Sequence, residues 1–131
     1  MNAVERVKVY DLIPIYKTID GVQNEANAIQ IARVELQNGE QLQYDIVVGK
    51  GLYNIGDSAI YIQPDYCLPQ LNIFNEYHFP GGDASKCKLG RCGRIRAIKF
   101  NFNFKDDSNP IYSNGIILPL IGEVKEMLDN S

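Results

Sequence analysis

The segment KCKLGRCGRIRAIKFNFNFK, residues 86–105, contains Lys86, Lys88, Arg91, Arg94, Arg96, Lys99 and Lys105 and not one carboxylate. Those seven are more than half of the thirteen Lys and Arg in the 131-residue chain. The remainder sets six cations against all sixteen Asp and Glu, a balance of −10 against +7 in the segment. Cations gathered this way suit a polyanion. Each Lys or Arg laid on a phosphate releases condensed counterions, and Asn adds neutral hydrogen bonds to sugar or phosphate. Asn101 and Asn103 stand in the same stretch, alternating with phenylalanines. Solvation of an exposed strand, or Lys guarding a sheet edge, accounts for one or two such charges. It does not account for seven without a compensating acid, so polyanion binding is the stronger reading.

Other chemistry finds less support. Cys67, His78, Cys87 and Cys92 are separated by ten, eight and four residues, spacings that match no standard zinc module, and no metal site is expected. A single histidine gives no base for a nucleophile triad, so no catalytic residue is assigned. GGDASK (81–86) lacks the order of a phosphate loop. An odd number of cysteines fits a reducing compartment. The N-terminal MNAVERVKVYD has no apolar secretory core, and no run approaches the roughly eighteen apolar residues of a membrane helix. The expectation is an intracellular chain, in cytoplasm or nucleus, with no membrane partner.

The elements that must position the cations read as strands. VKVYDLIPIY (7–16), AIQIARVEL (28–36), YDIVV (44–48), SAIYIQ (58–63), RIRAIKFNF (94–102) and GIILPL (115–120) are short runs rich in Ile, Val and Tyr. Asp20-Gly21, Asn38-Gly39, Gly56-Asp57, Gly81-Gly82 and Asn114-Gly115 supply the turns between them. A helix is expected only over 122–130 and within 66–80. The fold class that follows is all-β: a small, OB-fold-like antiparallel barrel with a long inserted loop and a short C-terminal helix.

Two strands change the parity of their apolar residues. One change falls near Ala32-Arg33, between Ile29/Ile31 and Val34/Leu36; the other falls near Ala97-Ile98. Side chains alternate faces strictly, so each implies a bulge or a strand passing from one surface to another. With a bend at Ala97-Ile98, Arg94, Arg96, Lys99, Asn101, Asn103 and Lys105 share one face, and Phe100, Phe102 and Phe104 turn to the core.

Four stretches then become recognisable together: VYDLIPIYKTIDGVQNEANAIQIARVEL (9–36), GDSAIYIQPDYCLP (56–69), GRIRAIKF (93–100) and SNGIILPL (113–120). Over roughly 7–120 the chain resembles the N-terminal OB-like domain of nick-sealing, ATP-dependent RNA ligases of the family 5 type, enzymes of RNA repair. It departs from them in its long 66–93 connection and at 101–112. The resemblance implies a noncatalytic domain, 1–121, that grips nicked, RNA-containing duplex, and a tail or linker, 122–131, toward a nucleotidyltransferase domain of the same polypeptide. That second domain would attack ATP through the lysine of a K-x-D-G motif, with Mg or Mn, and join 3′-OH to 5′-phosphate. KTIDG (17–21) has one residue too many for that motif and reads as a turn, so no cofactor is expected in this domain. The alternative is a protein-interaction barrel whose basic stripe docks an acidic partner or the catalytic domain.

Overall fold

Asp20 and Gly21 both take left-handed backbone angles, φ 52° and 79°. A two-residue turn of that kind matches the right-handed twist of the strands it joins. Here it joins β1 (Val4–Ile19) and β2 (Val22–Leu36), a hairpin paired from Ile19↔Val22 to Val7↔Leu36. KTIDG is therefore the hairpin tip. The computed structural model describes residues 4–70, 74–83, 85, 87, 89–120, 122 and 126. The helix expected over 122–130, and with it the boundary at 121/122, lies outside the described residues apart from Gly122 and Glu126.

Three further strands complete the main sheet: β3 (Ile46–Gly49), β4 (Ser58–Ile62) and β7 (Ile116–Pro119). The order is β3-β2-β1-β4-β7, with every pair antiparallel. A two-stranded ribbon, β5 (Ile98–Phe100) with β6 (Ile111–Ser113), leads into β7. The sheet curls until its first and last members nearly meet. Val47 N–H donates to Ser113 Oγ at 2.9 Å, and Asn114 N–H donates to the Asp45 carbonyl at 3.1 Å. The result is a small, nearly closed, all-β barrel. No helix among the described residues is long and apolar enough to cross a membrane.

Inside the barrel lie Val7, Val9, Ala32, Val34, Ile46, Val48, Ala59, Tyr61 and Ile117. Two more apolar clusters sit outside it. Ile60 and Ile62 turn outward from β4 to meet Leu68, Phe74 and Ile95 beneath the connection between β4 and β5. Among its described residues that connection holds a helical turn, α1 (Asn75–His78), and 3₁₀ turns at Pro80–Gly82 and Arg91–Gly93. Ile31 joins Ile15, Ile111, Phe102 and Phe104 in the third cluster.

The parity change expected near Ala32 is explained by this arrangement, but the extra residue is elsewhere. Ile31 and Ala32 enter different clusters on opposite faces of β2, whose pairing to β3 runs unbroken from Ile29 to Ala32. The bulge lies across the ladder in β1, where Tyr10 is the surplus between Val9↔Val34 and Asp11↔Arg33. A second, wider irregularity follows Pro14↔Gln30, where the next pair is Tyr16↔Glu25.

Candidate nucleic-acid interface

The strand expected over 94–102 is two pieces with different partners. Arg94 bridges Cys67, and Ile95 N–H donates to the Tyr66 carbonyl at 2.9 Å. Ile98 to Phe100 then pairs with β6. Ile95 must sink into the cluster below the β4–β5 connection, whereas Phe102 and Phe104 must reach the cluster at the base of the β1–β2 hairpin. One regular strand cannot serve both, and the chain breaks pattern at Arg96-Ala97, both exposed. Beyond the break the half-buried positions are Ile98, Phe100, Phe102 and Phe104, and Lys99, Asn101 and Lys105 are exposed. Arg94 and Arg91 are exposed before it.

Phe102 and Phe104 are therefore packed into the third cluster, each with a cation over its ring, whereas Phe100, expected on the core side as well, lines an open groove instead. Lys17 Nζ lies 5.9 Å from the Phe102 ring centroid, and Arg33 Cζ lies 5.7 Å from that of Phe104. Arg33 also pairs with Asp45, Nε to Oδ1 at 2.8 Å, and that hydrogen bond raises its pKa further. Arg91, Arg94, Lys99 and Lys105 enter no ion pair among the described residues. Arg96 is positioned by its stem: a Cβ on Gly90 would come within 3.0 Å of Arg96 Cδ, so glycine leaves the room in which the side chain lies.

Asn103 differs from its neighbours. It is half-buried, exchanges two 2.7 Å backbone hydrogen bonds with Tyr16, and donates through Nδ2 to the Asn109 carbonyl at 2.8 Å. Its amide is spent on holding its own loop. Lys86 and Lys88 lie outside the described residues. Sequence reasoning passed over Tyr112, which stands 51% exposed directly opposite Lys99. The only signal was its place between two buried residues, Ile111 and Ser113, in a strand too short to recognise.

Beneath β5 lies a half-open apolar groove of about 430 Å³, bounded by β3 and β7 and by Tyr77 and Leu89 of the connection. Ile98 and Phe100 line it, Leu52 stands 69% exposed on it, and Arg96 is its one charged residue.

The residues that an adenylate or a metal would need are not assembled. Lys17 is on the hairpin, paired opposite Asn24, and Asp20 is in the turn. His78 is buried with Nε2 3.1 Å from the Pro69 carbonyl, so that nitrogen carries the proton it donates. The Cys87 thiol donates to the Tyr77 carbonyl at 3.3 Å, and Cys67 and Cys92 are exposed free thiols. Among the described residues no three His, Cys, Asp or Glu side chains gather as a metal site. The described residues do not fit ATP or a divalent metal.

No protein-family model and no curated protein matches this chain. Solved structures do. A Naegleria gruberi RNA ligase mutant with ATP and Mn superposes with a TM-score of 0.54 at 19% identity, over 100% of this chain and 31% of its own. A second, also with ATP and Mn, gives 0.55 at 17% identity, over 98% and 34%. An apo mutant gives 0.52 at 17% identity, over 90% and 27%. The chain thus spans about a third of these ligases, and at such identity the likeness is one of fold. It has an RNA ligase-like fold, shared with about a third of each of those ligase chains.

Proposed function

We propose that this chain is the noncatalytic, nucleic-acid-gripping part of an ATP-dependent RNA ligase, an OB-like module. It would bind nicked, RNA-containing duplex for a nucleotidyltransferase domain of the same polypeptide, joined through the tail beyond residue 121. ATP and Mn or Mg would belong to that second domain, a reading supported by the neighbouring ligase structures with ATP and Mn. The observation that carries the reading is the run of exposed Arg94, Arg96, Lys99 and Lys105 along one bent segment. These side chains would contact phosphates on both sides of a break and set its register without reading bases.

The test is equilibrium binding of nicked duplex across a salt series. Replacing Arg94, Arg96 and Lys99 together by alanine weakens binding alike for different sequences. It flattens the log–log salt slope by about 0.9 for each lost phosphate contact, on the value for duplex DNA. Unchanged affinity and slope in the triple mutant would overturn the proposal. One observation favours a second reading, in which this surface docks the catalytic domain: the apolar groove under β5, with Arg96 on its lining. In that case nicked duplex binds no better than heparin, and a full-length ligase with Leu52→Asp loses its domain contact.

A further inference from the structure

We propose that Tyr112 is a stacking platform for an unpaired nucleobase, set beside Lys99, which takes the phosphate of the same nucleotide. The inference rests on the nucleic-acid reading above and narrows its substrate to RNA with an unpaired or frayed nucleotide at the break.

Among the described residues few aromatic rings are available to a ligand. Phe74 is fully buried, Phe102 and Phe104 are packed into the cluster around Ile15 and Ile31, and Phe100 faces the groove. Tyr53 and Tyr61 are buried, with hydroxyls donating to the Ile117 and Asn114 carbonyls. Tyr112 is 51% exposed, more than Tyr44 at 42% or Phe79 at 37%. Among the described residues its ring makes no aromatic or cation–π contact and its hydroxyl no hydrogen bond.

Its place in the ladder supplies the second part. Ile111 and Ser113 on either side are buried, so Tyr112 must face outward from β6. The register sets Lys99 of β5 directly across from it. Side chains so paired lie side by side on one face, their Cβ atoms about 5 Å apart. The neighbouring outward positions are Ala97, Asn101 and Pro110, all exposed and none charged or large. A base has a π-face whatever its identity, and stacking on an aromatic side chain is sequence-tolerant. A lysine ammonium on its flexible stem reaches past such a base to the phosphate. Within a duplex both faces of a base are already covered, which is why the ligand is an unpaired nucleotide.

The experiment compares two nicked RNA duplexes that differ at one nucleotide, an unpaired base or an abasic residue at the break. Binding of each is measured by fluorescence anisotropy to the wild type, Tyr112→Ala, Tyr112→Phe and Lys99→Ala. The wild type and Tyr112→Phe should prefer the base-bearing RNA by about tenfold. Tyr112→Ala should bind both RNAs as the wild type binds the abasic one. Lys99→Ala should weaken both and keep the preference. Equal binding of both RNAs by the wild type, with its salt dependence intact, would overturn the stacking proposal and leave the phosphate reading standing. So would a preference that survives in Tyr112→Ala. If the wild type binds neither RNA, the nucleic-acid reading has failed and this inference falls with it. Tyr112 is exposed, and matching thermal melts show that the variants are folded.

Discussion

Gly115 is where single residues matter most to the barrel. Its φ of +85° places it in the left-handed region. A Cβ there would lie 2.6 Å from the Ile62 carbonyl oxygen and from Tyr61 Cε1 and Oη. The turn from β6 to β7 passes directly over Tyr61, whose hydroxyl donates to the Asn114 carbonyl at 3.0 Å. Neither backbone nor a fully buried ring can give way. Gly115→Ala should cost about 3 kcal/mol, from overpacking together with backbone strain, read as a lower urea midpoint at unchanged slope. Asn114-Gly115 was legible as a turn from its residue types, because they state a backbone preference. The pressure on Gly115 was not, since Tyr61 and Ile62 are more than fifty residues away in the chain.

At the scale of elements, the loop between β5 and β6 is tied down by Asn103. Beyond its two backbone bonds to Tyr16, its amide reaches the Asn109 carbonyl, and Asp106 N–H donates to Gln23 Oε1 at 3.1 Å. The loop is thereby fastened to the β1–β2 hairpin. Asn103→Ala should lower stability by about 1 kcal/mol in a thermal or urea melt. Its affinity for nicked duplex should match the wild type, in contrast to Arg94→Ala or Lys99→Ala. Sequence pattern placed Asn103 with the cations because alternation alone orders the residues 99, 101, 103 and 105. What separates it is a contact to Tyr16, which periodicity does not see. The same limit shortened the strand expected over 94–102 and hid β6. Apolar alternation reports that a residue is covered, not which of three clusters covers it. Where the alternation runs unbroken through one short strand, as in β3 and β7, the pattern placed the strand to within about two residues.

For the molecule as a whole, charge and pH act together. Outside residues 86–105 the chain is acidic; on the nucleic-acid reading proposed above, the cationic segment would attract a duplex that the remaining surface repels, and so orient it before contact. At high pH a different set of groups responds. Burial foremost, then Tyr77 and Asp57, pushes the Tyr53 phenol up from 10.0 to about 12, and burial raises Tyr61 and Tyr77 as well. A phenol in the folded chain therefore keeps its proton where the unfolded chain has lost it. The stability tied to Tyr53 is complete below pH 10 and is lost as pH rises from there through about 12. The urea midpoint should fall over that window and fall less steeply in Tyr53→Phe. That variant begins slightly lower at neutral pH, because it leaves the Ile117 carbonyl without its donor.

The two hydrogen bonds between Asp45–Val47 and Ser113–Asn114 carry a consequence for the nascent chain. Through Ile62, the chain holds four strands in the order β3-β2-β1-β4, with two bare margins, β3 on one side and β4 on the other. β4 has apolar side chains on both surfaces, which makes its unpaired margin a template for another chain. Both margins are covered late and almost at once. Ser113 reaches Val47 across 66 positions, and β7 lies down along β4 a few residues later. Seven residues, Ser113 to Pro119, thus cover both margins on which another chain could add a strand.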